Sequence, residues 1–312
     1  MCADYGAPMK FSVWPSPARP TAEVLDLAQH ADAAGWFGFW FADHYMPNTE
    51  TGEVEHGDVH EVWSVLPAVA AVTESIRVGP LVAPTSVHHP AVLANRAVTL
   101  DHVSNGRMVL GLGAGWQVNE HRAYGIELEE PKVRVDRFEE AIQIVRSLLD
   151  EDRTTFAGTH YTITDAPSDP SPIQDLLPIV VGTSGKRMCR ITATHAQEWN
   201  TWGTPAEAGR KRAIFDAACE RAGVDPASMH TSTQAMFHLT DDPERIAKIE
   251  NVDATAKNSV AGPPERIIEV IGEYAELGFD EIIVPDFTLG ETAEERREGY
   301  DRFAAEIIPH CG

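Results

Sequence analysis

The chain has 312 residues, with 25 Lys or Arg against 48 Asp or Glu, so its formal net charge is −23. A field of that sign repels DNA, RNA and anionic membranes, which argues against a nucleic-acid or membrane-surface role. The four cysteines are scattered without a C-x-x-C pair, which fits neither a disulfide framework nor a zinc site. Because no signal-peptide pattern or transmembrane-length run is present, we expect a cytoplasmic protein.

Short β-type runs alternate with amphipathic helical segments along nearly the whole chain. The predicted strands are Lys10–Trp14, Gly38–Ala42, Ile76–Val82, Arg107–Leu112, Pro178–Val181, Glu198–Thr201, Thr231–Leu239 and Glu281–Val284. The predicted helices are Thr21–Ala34, Val62–Thr73, Pro90–Val103, Asn119–Tyr124, Arg134–Asp150, Gly185–Ala196, Ala206–Ala222, Pro264–Leu277 and Ala293–Ile308. This alternation predicts an α/β fold, either a (β/α)8 TIM barrel or a doubly wound sheet. Because no linker or change of composition divides the chain, we predict one barrel domain over residues 1–312.

Three segments exceed ordinary loop length and are predicted to be lids or binding loops: Tyr45–Glu61, Glu151–Leu177 and Asp241–Pro263. Within residues 151–177, the alternating runs around Gly158 predict an insertion hairpin, Thr154–Ile163, that projects from the barrel. Ligands of such barrels bind at the C-terminal ends of the strands, so residues at those ends are the candidates for a site.

Three glycines, Gly111, Gly113 and Gly115, stand where the fourth predicted strand becomes a loop. The missing side chains would let a flat ligand or a phosphate lie against bare backbone. A dinucleotide fingerprint, G-x-G-x-x-G, would require a glycine where Trp116 stands, which argues against a Rossmann unit. A tight structural turn remains the alternative explanation.

Two other strand ends carry unusual residues. Asp43 and His44 follow the second strand, where such a pair could orient a ring nitrogen and exchange a proton near neutral pH. The alternative is a helix cap beside a surface histidine. Pro80 and Pro84 flank the end of the third strand and predict a kink that could form a wall behind a planar ligand. Simple termination of the strand is the alternative there.

The fifth predicted strand leads through residues Gly182–Gly185 into a helix with Lys186 and Arg187 in its first turn. Small residues with free N–H groups at a helix N-terminus form an anion site. Cations in the first turn oppose the helix dipole, so a bound phosphate would account for them; otherwise they are a solvated basic pair.

Other motifs indicate less. His56, Asp58, His60 and Glu61 could suggest a metal cluster, but their spacing is not tetrahedral and a polar loop explains them, so no metal is predicted. The adjacent His88-His89 pair could face the pocket or solvent. The G-x-S-x-G nucleophile motif of serine hydrolases is absent from the sequence, which argues against that class of enzyme.

Together these segments resemble the bacterial luciferase-like monooxygenase superfamily, and within it the coenzyme F420-dependent oxidoreductase branch. The segments that carry the resemblance are Phe41–His44, Ile76–Pro90, Asn105–Glu120, Tyr124–Ile126, Arg137–Ala141, Gly158–Tyr161, Gly182–Asn200 and Gly262–Val284. The resemblance implies a (β/α)8 barrel that binds a flavin or 5-deazaflavin at its C-terminal mouth.

The resemblance also implies roles for individual residues. His44 is the candidate for proton transfer, with Asp43 beside it. The positions implied to contact the cofactor are Asp43, Pro80, Leu81, Ala83, Gly113, Gly115 and Asn119. The implied phosphate site consists of Gly182, Thr183, Ser184 and Gly185. A non-prolyl cis peptide bond of the relatives would fall at Pro80–Leu81.

This chain departs from the sugar-phosphate dehydrogenases of that branch at two positions. Trp116 stands where they have a proton-donating glutamate, and Asn48 where they have a pocket tryptophan, which argues against a sugar-phosphate substrate. Thr183 replaces the usual second glycine of the phosphate loop.

We therefore predict an F420-dependent oxidoreductase that transfers a hydride between the deazaflavin C5 and a small organic substrate beneath the Tyr45–Glu61 loop. An FMN-dependent monooxygenase that uses dioxygen is the nearest alternative. A non-catalytic flavin- or deazaflavin-binding protein and a metal-dependent hydrolase are further ones. From the resemblance we expect a homodimer. From the net charge we expect neither nucleic acid nor a membrane as a partner.

Overall fold

Parallel strands form the wall of a barrel, and one strand of this wall is in two pieces. The computed structural model describes residues 8–49, 52–251 and 257–311. The strands, in chain order, are Lys10–Trp14 (β1), Gly38–Phe41 (β2), Arg77–Pro80 (β3), Ala83–Pro84 (β4), Leu110–Gly113 (β5), Arg153–Ala157 (β6), Thr162–Pro167 (β7), Ile179–Gly182 (β8), Glu198–Trp202 (β9), His230–Gln234 (β10), Met236–Leu239 (β11), Ser259–Gly262 (β12) and Glu281–Pro285 (β13).

The strand order of the wall is β3-β2-β1-β13-β10-β9-β8-β5-β4. A parallel bridge between Val78 and Met108 joins β3 to the chain just before β5 and so brings the two ends of the sheet together. Because β4 continues the path of β3, the nine segments fill eight strand positions. The predicted (β/α)8 barrel is confirmed.

Most of the helices cover the outside of this wall. In chain order they are Thr21–Ala33 (α1), Val62–Val72 (α2), Pro90–Ser104 (α3), Val118–Ala123 (α4), Pro131–Asp150 (α5), Lys186–His195 (α6), Pro205–Ala222 (α7), Pro243–Glu250 (α8), Pro264–Glu276 (α9) and Ala293–Arg302 (α10). None of the helices in the described ranges combines the length and apolar character needed to cross a bilayer.

Alternation along the strands separates two cores. In β1, Phe11 and Val13 face outward and join the large apolar cluster shared with the helices. Trp14 faces inward and belongs to a smaller cluster inside the barrel, together with Trp40 and Leu81. The inward residues at the C-terminal ends of the strands therefore form the floor of a binding site at that face of the barrel.

Three predicted elements differ from the structure. The third predicted strand divides into β3 and β4, because the chain leaves the ladder once the Leu81 N–H has bonded to β2. The seventh divides at Ala235, after which β11 leaves the wall and pairs with β12. The long loop at residues 241–263 contains α8 and β12, while residues 252–256 of it, like residues 50–51 of the predicted lid loop, lie outside the described residues.

The predicted hairpin is present as the antiparallel pair β6 and β7. Its turn is held by Glu140 of α5, whose carboxylate accepts the N–H groups of Thr159 at 2.7 Å, His160 at 2.9 Å and Tyr161 at 3.1 Å. A Cβ on Gly158 would lie 2.3 Å from that carboxylate, which explains the glycine. The hairpin is thus fixed to the barrel at its tip.

Candidate active site

A cleft of about 580 Å³ opens at the C-terminal ends of the strands. Its lining residues are Trp14, His44, Asn48, Leu81, Val82, Trp116, Gly182, Thr183, Ser184, Asn200, Thr201, Trp202, Lys211, Gln234, Met236 and Asn258. An adjoining cavity of about 180 Å³ shares His44 and Val82 with the cleft and extends it to Gly113, Gly115 and Glu120. The site is therefore where the barrel fold places one.

The break between β3 and β4 forms one wall of the cleft. A non-prolyl cis peptide bond joins Leu81 to Val82, so the position expected from the resemblance, Pro80–Leu81, is wrong by one residue. The reason lies in the ladder: the Leu81 N–H still donates to the Phe41 carbonyl at 2.8 Å, which keeps the chain paired with β2 through that residue. The irregular backbone begins only after it.

The side chain of Val82 occupies the space that two glycines leave free. A Cβ on Gly113 would lie 2.8 Å from a Val82 methyl carbon, and one on Gly182 would lie 3.3 Å from both methyl carbons. Gly111 serves a different purpose from the one predicted, because a Cβ there would lie 1.9 Å from the Pro80 carbonyl oxygen. The missing side chain of Gly111 therefore makes room for the backbone of Pro80 and not for a ligand.

Gly115 is required by the turn itself, since its φ of +89° lies in the left-handed region that favours glycine. A Cβ there would also lie 1.9 Å from the Ser86 Oγ. The carbonyl of Gly115 accepts a hydrogen bond from Arg134 Nη1 at 2.6 Å, which fixes the glycine loop to α5.

His44 is held by a carboxylate from α4. Its Nδ1 lies 3.0 Å from Oε1 of Glu120, whose Oε2 accepts the N–H of Tyr45 at 2.8 Å. Glu120 is buried, whereas a quarter of the His44 side chain is exposed. Because a carboxylate only accepts hydrogen bonds, this contact assigns the proton to Nδ1 and leaves Nε2 for the cleft. The ring edge also meets Trp116, with centroids 5.6 Å apart.

Asp43 faces away from His44 and into a separate buried network. Its Oδ2 accepts hydrogen bonds from His88 Nε2 at 2.7 Å and from Trp63 Nε1 at 3.2 Å. Arg96 Nη1 lies 3.2 Å from His88 Nδ1, and because a guanidinium only donates, that nitrogen accepts the hydrogen bond. Asp43 Oδ1 is buried without a hydrogen-bond partner among the described residues. The carboxylate that orients His44 is therefore that of Glu120, not that of Asp43.

The start of α6 offers backbone N–H groups to the cleft. Gly185 is its N-cap, and no side chain caps the helix. Thr183 donates its own N–H to the Asn200 carbonyl at 3.0 Å, while its hydroxyl accepts the Gly185 N–H at 3.3 Å. The amides of Ser184 and of residues 186–188, in the first turn of the helix, are the ones that remain for an anion.

Two arginines of this helix have acidic partners, whereas Lys186 is exposed and forms no ion pair with any described residue. Arg187 forms ion pairs with Asp136 and Glu139 of α5, the second at 2.5 Å, and Arg190 reaches Glu139 at 2.7 Å. The expectation that a phosphate accounts for Arg187 is therefore wrong, because α5 neutralises its charge. The anion site rests on the amides.

The predicted lid loop is anchored where it meets α4. Asn119 Nδ2 donates to the carbonyls of Pro47 at 2.9 Å and Glu53 at 3.2 Å, and its Oδ1 accepts the N–H of Glu120. Gln117 Nε2 donates to the carbonyl of Met46 at 2.9 Å. Asn119 thus holds the loop from behind the cleft.

Glu61 and His89 have ordinary structural roles. Glu61 caps α2 by accepting the N–H groups of Trp63 at 3.0 Å and Ser64 at 2.7 Å, and His89 caps α3 through Ala91. No group of three His, Cys, Asp or Glu residues within the described ranges is placed to hold a metal ion.

The structure brings together part of the predicted set. The residues that line the cleft or its adjoining cavity are His44, Leu81, Gly113, Gly115, Gly182, Thr183 and Ser184. Five predicted residues line neither space, although each is next in sequence to a residue that does. They are Asp43, Pro80, Ala83, Asn119 and Gly185. Sequence reasoning missed Val82, Trp14, Trp202 and the role of Glu120. The position of Glu120 directly after the glycine loop was the one available signal.

The profile of the luciferase-like monooxygenase family matches residues 3–250 of the chain. This chain belongs to that family. Among curated relatives, it is similar to the F420-dependent glucose-6-phosphate dehydrogenase of Amycolatopsis mediterranei (strain U-32), which is 26% identical over 84% of this chain and 87% of the relative.

Solved structures agree with the barrel of this luciferase-like protein. An F420-dependent secondary alcohol dehydrogenase in complex with an F420-acetone adduct has a TM-score of 0.83 at 19% identity, covering 98% of this chain and 100% of the other. A monooxygenase from Streptomyces bottropensis has a TM-score of 0.80 at 20% identity, covering 97% and 100%. At these identities the likeness shows the fold alone.

Proposed function

We propose that this luciferase-like protein is an F420-dependent oxidoreductase that transfers a hydride between C5 of the deazaflavin and a small organic substrate in the cleft. The observation that carries the proposal is the pairing of His44 with buried Glu120 at the same cleft as the segment that leads into the uncapped start of α6. The names of the relatives support F420 as the cofactor.

The residues present fit such a cofactor. The break after Leu81 and the Val82 side chain offer an apolar wall for a ring system, and Gly113 and Gly182 have no Cβ beside it. The free amides after Thr183 suit the phosphate of the anionic tail. We propose that Leu81, Gly113, Gly115 and the segment Gly182–Gly185 contact the cofactor.

Four of the predicted cofactor residues are proposed to act from the layer behind this wall. They are Asp43, Pro80, Ala83 and Asn119. Asp43 and Asn119 are fixed by the hydrogen bonds described above, while Pro80 and Ala83 flank the break in the third strand. When bound, F420 supplies two-electron hydride chemistry at C5, which no side chain of the protein supplies.

The side chains handle the proton that accompanies the hydride. His44 Nε2 holds or releases this proton at the cleft, because Nδ1 is occupied by Glu120. The Glu120 carboxylate fixes the tautomer and stabilises the charged ring when Nε2 is protonated, as a buried carboxylate does for a catalytic histidine elsewhere. Tyr45 helps to fix Glu120 through its backbone N–H.

We further propose a cytoplasmic homodimer whose chain forms one domain over residues 1–312. The net charge of −23 supports the proposal that neither nucleic acid nor an anionic membrane is a partner. Sedimentation of the purified protein tests whether it is a dimer. A monomer at micromolar concentration would contradict this proposal.

The cofactor is tested by titrating the apoprotein with F420 and with FMN while recording fluorescence quenching. We expect saturable F420 binding, with FMN at least about tenfold weaker. Tight FMN binding without measurable F420 binding would replace the proposal with the FMN-dependent monooxygenase. F420 binding with no turnover of any alcohol or ketone would favour a non-catalytic binding protein.

A further inference from the structure

One half of the cleft is aromatic. Trp14 and Trp202 meet edge to face with ring centroids 5.2 Å apart, and Phe287 packs on Trp14 with centroids 5.4 Å apart. Met236 lines the same cleft. Large apolar side chains at these positions bind a substrate through the apolar area they remove from water.

Charge is scarce in this lining. Among the lining residues in the described ranges, Lys211 is the one ammonium or guanidinium group. Its Nζ donates to the Trp202 carbonyl at 2.6 Å, and burial lowers the pKa of this lysine. The remaining polar groups of this half are amides and hydroxyls, such as those of Asn48, Thr201 and Asn258.

A phosphomonoester needs more than this lining offers. It carries between about one and a half and two negative charges at neutral pH and is bound by charge-assisted hydrogen bonds, commonly from several cations. The nearby guanidinium groups are engaged elsewhere: Arg187 by acidic residues of α5, and Arg134 by the Gly115 carbonyl. A single half-buried ammonium already bonded to a carbonyl does not match a dianion.

A group of exposed apolar side chains, called the apolar mouth below, lies on the segments around Trp116, which lines the cleft. Val54, Trp116, Val118 and Tyr124 are each more than half exposed. They lie on or beside α4 and the loop anchored to it by Asn119. Exposed apolar groups gathered around a cleft are the kind of surface that a hydrophobic ligand covers.

On the basis of the proposed function, we infer that the organic substrate is a neutral compound with an apolar or aromatic body, not a sugar phosphate like the one named for the relatives. The aromatic half of the cleft takes the body, and the apolar mouth accommodates its extension towards solvent. The reacting carbon then lies on the side of the cleft that His44 lines.

The test uses the F420-loaded protein and the secondary alcohols 2-butanol, 2-hexanol and 2-octanol beside glucose 6-phosphate and glucose. Oxidation of each alcohol removes a hydride from the carbinol carbon, taken up by the added F420, and the hydroxyl proton, taken up at His44, so the product is the ketone. We expect kcat/KM to rise about threefold or more per methylene added, given the free energy of burying each group. For 2-octanol it should exceed that for glucose 6-phosphate at least about tenfold.

Two variants make the inference specific to this lining. Val118→Lys should flatten the rise between 2-hexanol and 2-octanol, whereas Ile173→Lys, an exposed apolar residue of the insertion, should leave it unchanged. Trp202→Ala should lower kcat/KM about tenfold for every alcohol. If that variant fails to fold by circular dichroism, the Val118→Lys comparison still decides.

The contrary outcomes are separable. F420 binding with a preference for glucose 6-phosphate, or with turnover of neither substrate class, overturns the substrate inference and leaves the cofactor assignment standing. Absence of F420 binding in the quenching titration overturns the proposed function and this inference with it.

Discussion

The two ends of the barrel treat buried polar groups in opposite ways. At the N-terminal end, the Glu281 carboxylate accepts hydrogen bonds from Ser12 Oγ at 2.5 Å, Trp40 Nε1 at 2.9 Å and His230 Nε2 at 2.8 Å. At the C-terminal end, Asp43 Oδ1 and Trp14 Nε1 are buried without partners among the described residues. Ser12 and Trp14 lie two residues apart on β1. One repeat of the strand therefore separates the satisfied polar groups from the unsatisfied ones.

This difference indicates which end of the barrel contributes stability and which end carries the candidate site. Satisfied polar networks stabilise the closed end, because each donor finds an acceptor as the strands come together. Unsatisfied groups at the open end cost stability, and Trp14, which carries one of them, lines the cleft. Four predictions test this comparison, beginning with the largest expected effect.

The largest effect belongs to the closed end. Glu281→Gln removes the charge of a fully buried carboxylate that faces His230, and we expect it to lower the free energy of unfolding by about 3 kcal/mol or more. Urea denaturation measures this. Glu220→Gln, an exposed change on α7, should stay within about 0.5 kcal/mol. If both variants lowered the free energy of unfolding equally, the buried network at the N-terminal end would not be a special source of stability.

The same carboxylate predicts a pH dependence. Burial raises the pKa of Glu281, but the hydrogen bond and charge of His230 outweigh it and lower the pKa to about 2 from the ordinary 4.5. Because the folded-state pKa is the lower one, the stabilisation is complete above about pH 4.5 and is lost as the pH falls through about 2. We expect a loss of up to about 3 kcal/mol over that window. Denaturation between pH 6 and pH 3 should show a slope that Glu281→Gln lacks.

At the open end, His44→Ala should lower turnover about 100-fold, because it removes the group that holds the proton. F420 binding, followed by quenching, should be retained, and added imidazole should restore part of the rate. His102→Ala, an exposed histidine of α3, is the matched control. Unchanged turnover would exclude His44 from the mechanism.

Glu120 gives the smallest of the four effects, because it acts through His44. Glu120→Gln keeps a hydrogen-bond acceptor but not the charge, so we expect turnover to fall about tenfold. The fall should lie in kcat with KM little changed, since the lost charge stabilises the ring only when Nε2 carries the proton. Glu127→Gln is the exposed control. A raised KM with an unchanged kcat would indicate a purely structural role for Glu120.

The sequence by itself determined the alternation of elements, the barrel, the hairpin and the location of the site. Periodicity is a local property: apolar spacing marked α1 and β1 within a residue of their observed ends. The motifs at strand ends identified His44 and the start of α6 because a TIM barrel gathers those ends at one face. Family resemblance added the cofactor class.

Tertiary structure alone decided which polar groups pair. Glu120 reaches His44 across 76 residues of chain, Asp43 turns to His88, and Gly111 admits the backbone of Pro80. The same holds for the position of the cis peptide bond and for β12, which pairs with β11 outside the wall. Hydrogen-bond partners depend on how the strands lie beside one another, and this arrangement leaves no trace in the spacing of residues along a single segment.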